Sequence, residues 1–357
     1  MKAPLVVVAP DKFKGSATAA EVAEALARGI RASAPDVRLE CHPIADGGEG
    51  SVDLLLGHGW EARSAEVEGP LGDPVTARWA RCGDVAVVEA AAACGLSLLP
   101  GDPDVASALA ATTTGVGQLL AVAREAGSTR IVVGIGGTAS TDGGEGAVRA
   151  LHAVHADSWR DVTLQVACDV RNPLLGPHGA AAVYGPQKGA DPSTVRVLEA
   201  RLAAWADTLA AETGRDLATA PGAGAGGGLA YGLAAGLGAR IVPGAATLLE
   251  LTGTLERVRH ADLVVVGEGS LDHQSLFGKG PVALATVAAE AAIPVVAVVG
   301  RSLVTSADAA RAGIREVFAL VDREPDPEVC MARAVDLLGE VGAEIGRIVV
   351  STAGRWG

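Results

Sequence analysis

Short apolar runs that stop dead at glycine-rich, charged loops set the rhythm of this chain. Leu5 to Ala9 is β-branched and apolar on both faces, the mark of a buried parallel strand, and it stops at Pro10-Asp11. After the loop Pro10-Asp11-Lys12-Phe13-Lys14-Gly15-Ser16, Thr18-x-x-Glu21 is a capping box that opens an alanine-rich helix to about Ala32. A second strand, about Val37 to Ile44, runs into Ala45-Asp46-Gly47-Gly48-Glu49-Gly50 and a helix over Ser51 to Leu56. Between Glu61 and Val88 the pattern alternates, which predicts antiparallel or mixed strands. A helix from Gly115 to Ala126 precedes a strand from Arg130 to Ile135 that ends in a glycine-rich loop through Gly146. Thr163 to Cys168 is a strand ending at Asp169, and Val195 to Glu212 is an amphipathic helix. Strands over Leu263 to Val266, Val295 to Val299 and Glu316 to Val321 alternate with helices in the last third.

The two ends of the chain thus supply five β/α units, and the middle supplies a different pattern. The expected fold is α/β with two domains: a flavodoxin-like, doubly wound parallel sheet built from both chain ends, and an inserted mixed α/β domain. The loosely drawn boundaries are 1–60 plus 255–357 for the first and 61–254 for the second.

Composition narrows the function. The chain has 357 residues and a net charge of −13, so a nucleic-acid partner is not expected and any phosphate site is a local exception. With 49% hydrophobic and 20% charged residues it is a globular chain. Five scattered Cys (41, 82, 94, 168 and 330) include no C-x-x-C pair, which argues against a disulfide framework or structural zinc and suits a reducing cytosol. No targeting or membrane segment is evident. The long apolar stretch Pro281 to Gly300 contains Glu290, is broken at Pro294, and reads as helix then strand.

Scarcity points to the chemistry. Only five Lys occur, and Lys12, Lys14, Lys188 and Lys279 all fall in short glycine-rich loops, as does the single Asn172. Such loops need an ammonium or amide that arginine does not replace. Asp-Gly-Gly-Glu-Gly occurs at 46–50 and again at 142–146, each time between a strand and a helix. That spacing sets a carboxylate at a strand end beside backbone N–H groups that suit an anion; the bland alternative is a tight glycine turn. The run Gly222 to Gly228 lacks the βαβ context of a dinucleotide fingerprint and reads equally as a phosphate cradle or as close helix packing. There is no P-loop: Gly278-Lys279-Gly280 lacks the first glycine and the final hydroxyl.

Taken in order, these motifs resemble the bacterial type I glycerate kinases. The resemblance rests on Ala9 to Ser16, Pro43 to Gly50, Gly134 to Gly144, Val166 to Leu174, Gly185 to Ala190, Pro221 to Gly224 and Gly267 through Lys279, and it spans nearly the whole chain. It implies a two-domain enzyme with its site in the cleft between domains, taking ATP, Mg²⁺ and D-glycerate and giving 2-phosphoglycerate. On that reading Lys14, Asp46, Asp142 and Lys188 are the catalytic candidates. Lys12, Ser16, Gly47, Gly48, Gly136, Gly137, Thr138, Gly143, Gly144, Gln274 and Lys279 are the candidates for substrate or phosphate, and Asp169, Glu268 and Asp272 for Mg²⁺. The expected partners are small molecules, with no nucleic acid and no membrane; the sequence is silent on oligomeric state. Ser270, Thr141 and a short 151–164 segment depart from the family pattern. Two rivals stay open: a kinase of the same fold for another small hydroxy or sugar acid, and a non-catalytic sugar-acid-binding relative. The four motif lysines argue for catalysis.

Overall fold

The β-branched runs become strands. The computed structural model describes residues 3–45, 48, 50–153, 159, 161–273, 275–277 and 280–351. Among them the strands are β1 (Leu5–Pro10), β2 (Arg38–Cys41), β3 (Glu61–Glu68), β4 (Pro74–Cys82), β5 (Val85–Glu89), β6 (Arg130–Gly134), β7 (Thr163–Ala167), β8 (Arg240–Val242), β9 (Leu263–Leu271), β10 (Val295–Ser302) and β11 (Glu316–Ala319).

The chain divides into two units, residues 1–46 with 248–357, and residues 47–247. The first holds a five-stranded sheet in the order β11-β10-β9-β1-β2, and every pairing in it is parallel. Counted along the first unit alone, this is the 2-1-3-4-5 order of flavodoxin-like folds. Alternation serves both faces of β1. Val6 and Val8 join one core with Leu26, Leu338 and Val341, and Val7 and Ala9 join another with Val282 and Ala285. This is why the run is apolar throughout. The capping box opens helix Ala19–Ser33 as its sequence requires, with Thr18 and Glu21 bonded reciprocally. That helix packs on helix Ala334–Ser351 at very short range. A Cβ at Gly29 would lie 2.1 Å from Gly339 O, and one at Gly342 would lie 2.4 Å from Leu26 O.

The second unit holds the six-stranded sheet β3-β4-β5-β6-β7-β8. It is antiparallel from β3 to β5 and parallel from β5 to β8. Trp79, Leu119, Ile131, Val133 and Leu229 are among its core residues, and Leu174, Leu202, Trp205 and Tyr231 belong to a second helical core. The expected α/β class, with one all-parallel sheet and one mixed, is what the chain adopts. The expected boundaries, near 60 and 255, differ from the observed division at 47 and 247. The helix Ser51–Gly57 goes with the insert because Val52 N donates to Glu89 Oε1 at 2.6 Å and Arg78 pairs with Asp53 at 3.3 Å.

Candidate active site

In open α/β sheets ligands sit at the carboxyl ends of the strands, where the order reverses. In the first unit that point lies between β1 and β9. Pro10 is in register with Gly267, and Asp11 N donates to Gly267 O at 2.8 Å. The loop beyond is a small closed turn. Phe13 is buried in the core, and its backbone pairs with Ala17. Ser16, half-buried, donates its N–H to Phe13 O at 2.8 Å. With Phe13 anchored, Lys12 and Lys14 are left exposed on either side of it. The helix N-terminus behind this loop is not an open anion site, since Glu21 accepts from Thr18 N at 2.8 Å and occupies the cap.

At the end of β9, Glu268 and Asp272 turn toward one hydroxyl. Ser275 Oγ donates to Glu268 Oε2 at 3.0 Å and lies 3.4 Å from Asp272 Oδ1, which also accepts Ser275 N at 3.0 Å. Two carboxylates gathered on one serine make a hard-oxygen donor pair. Mg²⁺ is held by one or two carboxylates plus substrate phosphates and water, so this pair fits it. Among the described residues no group of three or more His, Cys, Asp or Glu side chains is placed to hold a metal ion.

The second unit presents the other candidates at the carboxyl ends of its parallel strands. Beyond β6, Gly136 and Gly137 are exposed, while Thr138, Ser140 and Thr141 are buried. Asp142 is surrounded by donors. Its Oδ2 accepts Thr113 N and Thr113 Oγ1, both at 2.8 Å, Gly146 N at 3.2 Å and Thr112 Oγ1 at 3.5 Å. Its Oδ1 accepts Gly144 N at 3.1 Å. Gly143 N donates to Gly227 O at 3.0 Å. The N–H groups of 143, 144 and 146, which the motif suggested for an anion, are thus taken up by Gly227 O and by Asp142 itself.

Lys188 lies underneath. It is 3% exposed, and its Nζ donates to Ser140 O at 2.5 Å and to Thr138 Oγ1 at 3.3 Å. Burial pulls its ammonium from 10.5 down to about 8, against the opposing pull of Cys94 and Asp142. A glycine makes room for it. Gly227 has φ +69, and a Cβ there would lie 2.0 Å from Ser140 O and 2.9 Å from Lys188 Nζ. The Gly222 to Gly228 run therefore serves close packing. Asp169 is a helix cap: its oxygens accept Gly244 N at 2.8 Å and Ala245 N at 3.1 Å, at the start of helix Gly244–Leu251.

The structure brings Lys12, Lys14, Ser16, Glu268 and Asp272 to the strand ends of the first unit. It gathers Gly136, Gly137, Thr138, Asp142, Gly143, Gly144 and Lys188 around one loop of the second, with Asp169 at the end of a neighbouring strand. Gly48 is half-buried, and its carbonyl accepts Ser51 Oγ at 2.6 Å. Asp46, Gly47, Gln274 and Lys279 lie outside the described residues. Sequence reasoning missed Ser275, Glu89 and Arg301. Only Ser275 carried a signal, standing three residues after Asp272 as turn-capping hydroxyls do.

Comparison with known proteins places this frame. The model of the glycerate kinase family matches residues 6–160 and 153–350. A glycerate kinase of Halalkalibacterium halodurans is 39% identical, covering 95% of this chain and 97% of its own. The Escherichia coli K12 glycerate 2-kinase is 38% identical over 83% of this chain and 84% of its own. The crystal structure of a Salmonella typhimurium LT2 protein assigned to glycerate kinase 2 superposes with a TM-score of 0.80 at 31% identity, over 98% and 99% of the two chains. These likenesses, which cover nearly the whole chain, define an enzyme of the phosphotransferase class with an alcohol group as acceptor. The chain belongs to the glycerate kinase family.

Proposed function

We propose that the protein transfers the γ-phosphoryl group of ATP to the 2-hydroxyl of D-glycerate, giving 2-phosphoglycerate. The observation that carries this reading is the loop at the β1/β9 reversal. Lys12 and Lys14 are exposed there on a loop whose backbone packs on Gly269, and Glu268 and Asp272 of the same strand end converge on Ser275. Phosphoryl transfer asks little covalent help of a protein; it asks for positioned cations, an aligned hydroxyl and charge neutralisation. Lys12 and Lys14 supply the cations. Asp46, which follows β2 in the chain, is assigned to orient the acceptor hydroxyl and take its proton. Glu268 and Asp272 would hold Mg²⁺, which supplies charge neutralisation on the phosphates. Asp142 and Lys188 act as positioning residues, because the carboxylate is surrounded by donors and the ammonium is buried. Asp169 holds the end of its strand to the distant helix Gly244–Leu251. The 2-hydroxyl is chosen because the Escherichia coli relative carries that regiochemistry in its name. Small molecules are the partners: among the described residues no helix is long and apolar enough to cross a membrane.

The test is direct. Purified protein with ATP, Mg²⁺ and D-glycerate should release ADP only when the acid is present, and ³¹P NMR should show 2-phosphoglycerate as the first product. Release of ADP that ignores the acid, or a different first product, overturns the reading. Lys14→Ala should lower kcat/KM by about 100-fold, roughly 3 kcal/mol of transition-state stabilisation, with an unchanged melting temperature.

A further inference from the structure

Three strand ends lie side by side in the first unit, and the third bears an arginine that no motif flagged. Arg301 is the penultimate residue of β10 and stands in register with Ser270 of β9. The backbones are in contact just before it, since a Cβ on Gly300 would fall 2.4 Å from Gly269 O. On its other side Gly269 packs on the lysine loop, its Cβ position lying 3.4 Å from Lys14 N. Lys14, Ser270 and Arg301 therefore leave adjacent, closely packed stretches of backbone.

The side-chain geometry is specific. Arg301 Nε donates to Ser270 Oγ at 3.1 Å, and the side chain is otherwise exposed. Among the described residues no carboxylate forms an ion pair with it. A guanidinium held through Nε by a neutral hydroxyl keeps its two terminal nitrogens, with their four N–H groups, for a planar oxyanion. It also keeps its full charge for a ligand, unlike Arg311 or Arg323, whose guanidiniums are paired with Asp308 and Glu344.

We propose that Arg301 binds an oxyanion of one of the two substrates, and that Ser270 aims it. The inference rests on the kinase reading above and adds a specificity residue to it. The oxyanion is either the carboxylate of the acceptor acid or a phosphate of the donor, and the experiment separates the two.

Steady-state kinetics on wild type, Arg301→Gln, Arg301→Lys and Ser270→Ala, varying each substrate in turn, give the answer. Arg301→Gln should raise one KM by about 10- to 100-fold, the worth of a lost hydrogen bond to a charged group, with kcat and melting temperature little changed. A rise in the KM for the acid identifies the carboxylate, and a rise in the KM for ATP identifies the phosphate. Arg301→Lys should recover part of the loss. Ser270→Ala should raise the same KM by less, and the double variant should be no worse than Arg301→Gln. If neither KM moves, or if Ser270→Ala moves the other one, the proposal is overturned. Should the wild type not turn over, the kinase reading fails by itself. Calorimetric titration of wild type and Arg301→Gln with D-glycerate and with ATP then decides the role of Arg301, which unchanged binding of both would rule out.

Discussion

Lys188 is a cation that water hardly reaches. Its ammonium spans the turn between Thr138 and Ser140 and closes the space that Gly227 leaves. Its pKa of about 8 in the folded chain, against 10.5 for an ordinary lysine, is a statement about stability. Below pH 8 both folded and unfolded chains hold the proton, and the folded chain carries a burial cost of about 3 kcal/mol. Between 8 and 10.5 the folded chain has lost the proton and the unfolded chain still holds it. Over that window the contribution of Lys188 to unfolding free energy rises with pH. Urea titrations of wild type and Lys188→Met at pH 7 and pH 10 should therefore show wild type gaining on the variant as pH rises, by up to about 3 kcal/mol. The Cys168 thiol, pushed up to about 11 by burial, works in the opposite direction but is common to both chains and cancels in the difference. A wild-type-minus-variant difference that ignores pH removes the buried-ammonium account. The scarcity of lysine marked this residue in the sequence. Its burial was not legible there, because it depends on a glycine thirty-nine positions away adopting a left-handed turn.

At the scale of elements, what repeats is a carboxylate beyond a strand end that accepts backbone N–H groups at the start of a helix. Asp142 does this for helix Glu145–Ala153 and Asp169 for the distant helix Gly244–Leu251, and both read in the sequence as candidate ligands. The residue type was legible and its partners were not, since Thr113 and Gly244 come from distant stretches of chain. The consequence for Asp142→Asn is a structural cost. The amide retains one acceptor oxygen and turns an NH₂ toward donors, which costs about 2–5 kcal/mol. Its melting temperature should fall together with kcat/KM; a variant that melts like wild type yet has lost turnover assigns Asp142 to the chemistry instead. The elements themselves were legible where a bounded apolar run or a cap marks them. The strands β1, β6, β7 and β10 follow their apolar runs, and the helix opened by Thr18 follows its capping box. Helix Leu229–Leu237 was missed because it is buried nearly all round, from Leu229 through Ala235, and so has no period to read. Helix Ala334–Ser351, implied by the fifth β/α unit, was not delimited for a different reason. Gly339, Gly342 and Gly346 look like helix breakers, but Gly342 and Gly346 are small residues that let it approach helix Ala19–Ser33.

The whole molecule is one chain with two sets of cores. Among the described residues, buried clusters around β1, β9 and β10 draw only on residues outside 47–247, and those around β6 and Trp205 draw only on residues inside it. The alternation of strand and helix at both chain ends made this interrupted plan legible. The crossing point was not, because a short amphipathic helix such as Ser51–Gly57 carries no mark of which sheet it will join. Two core sets predict two stabilities. Leu26 is fully buried between the first sheet and the C-terminal helix, so Leu26→Ala should cost about 2–5 kcal/mol in the first unit. Trp60, Trp79, Trp159 and Trp205 all fall within 47–247. Only Trp356 lies elsewhere, and it is removed by Trp356→Phe. In that background tryptophan fluorescence reports the second unit, while far-ultraviolet circular dichroism reports both. Leu26→Ala should then shift the early part of the dichroism transition to lower urea and leave the fluorescence midpoint near its original value. Coincident shifts of both probes would mean that the units unfold as one cooperative body, and the separation of cores would carry no independent stability.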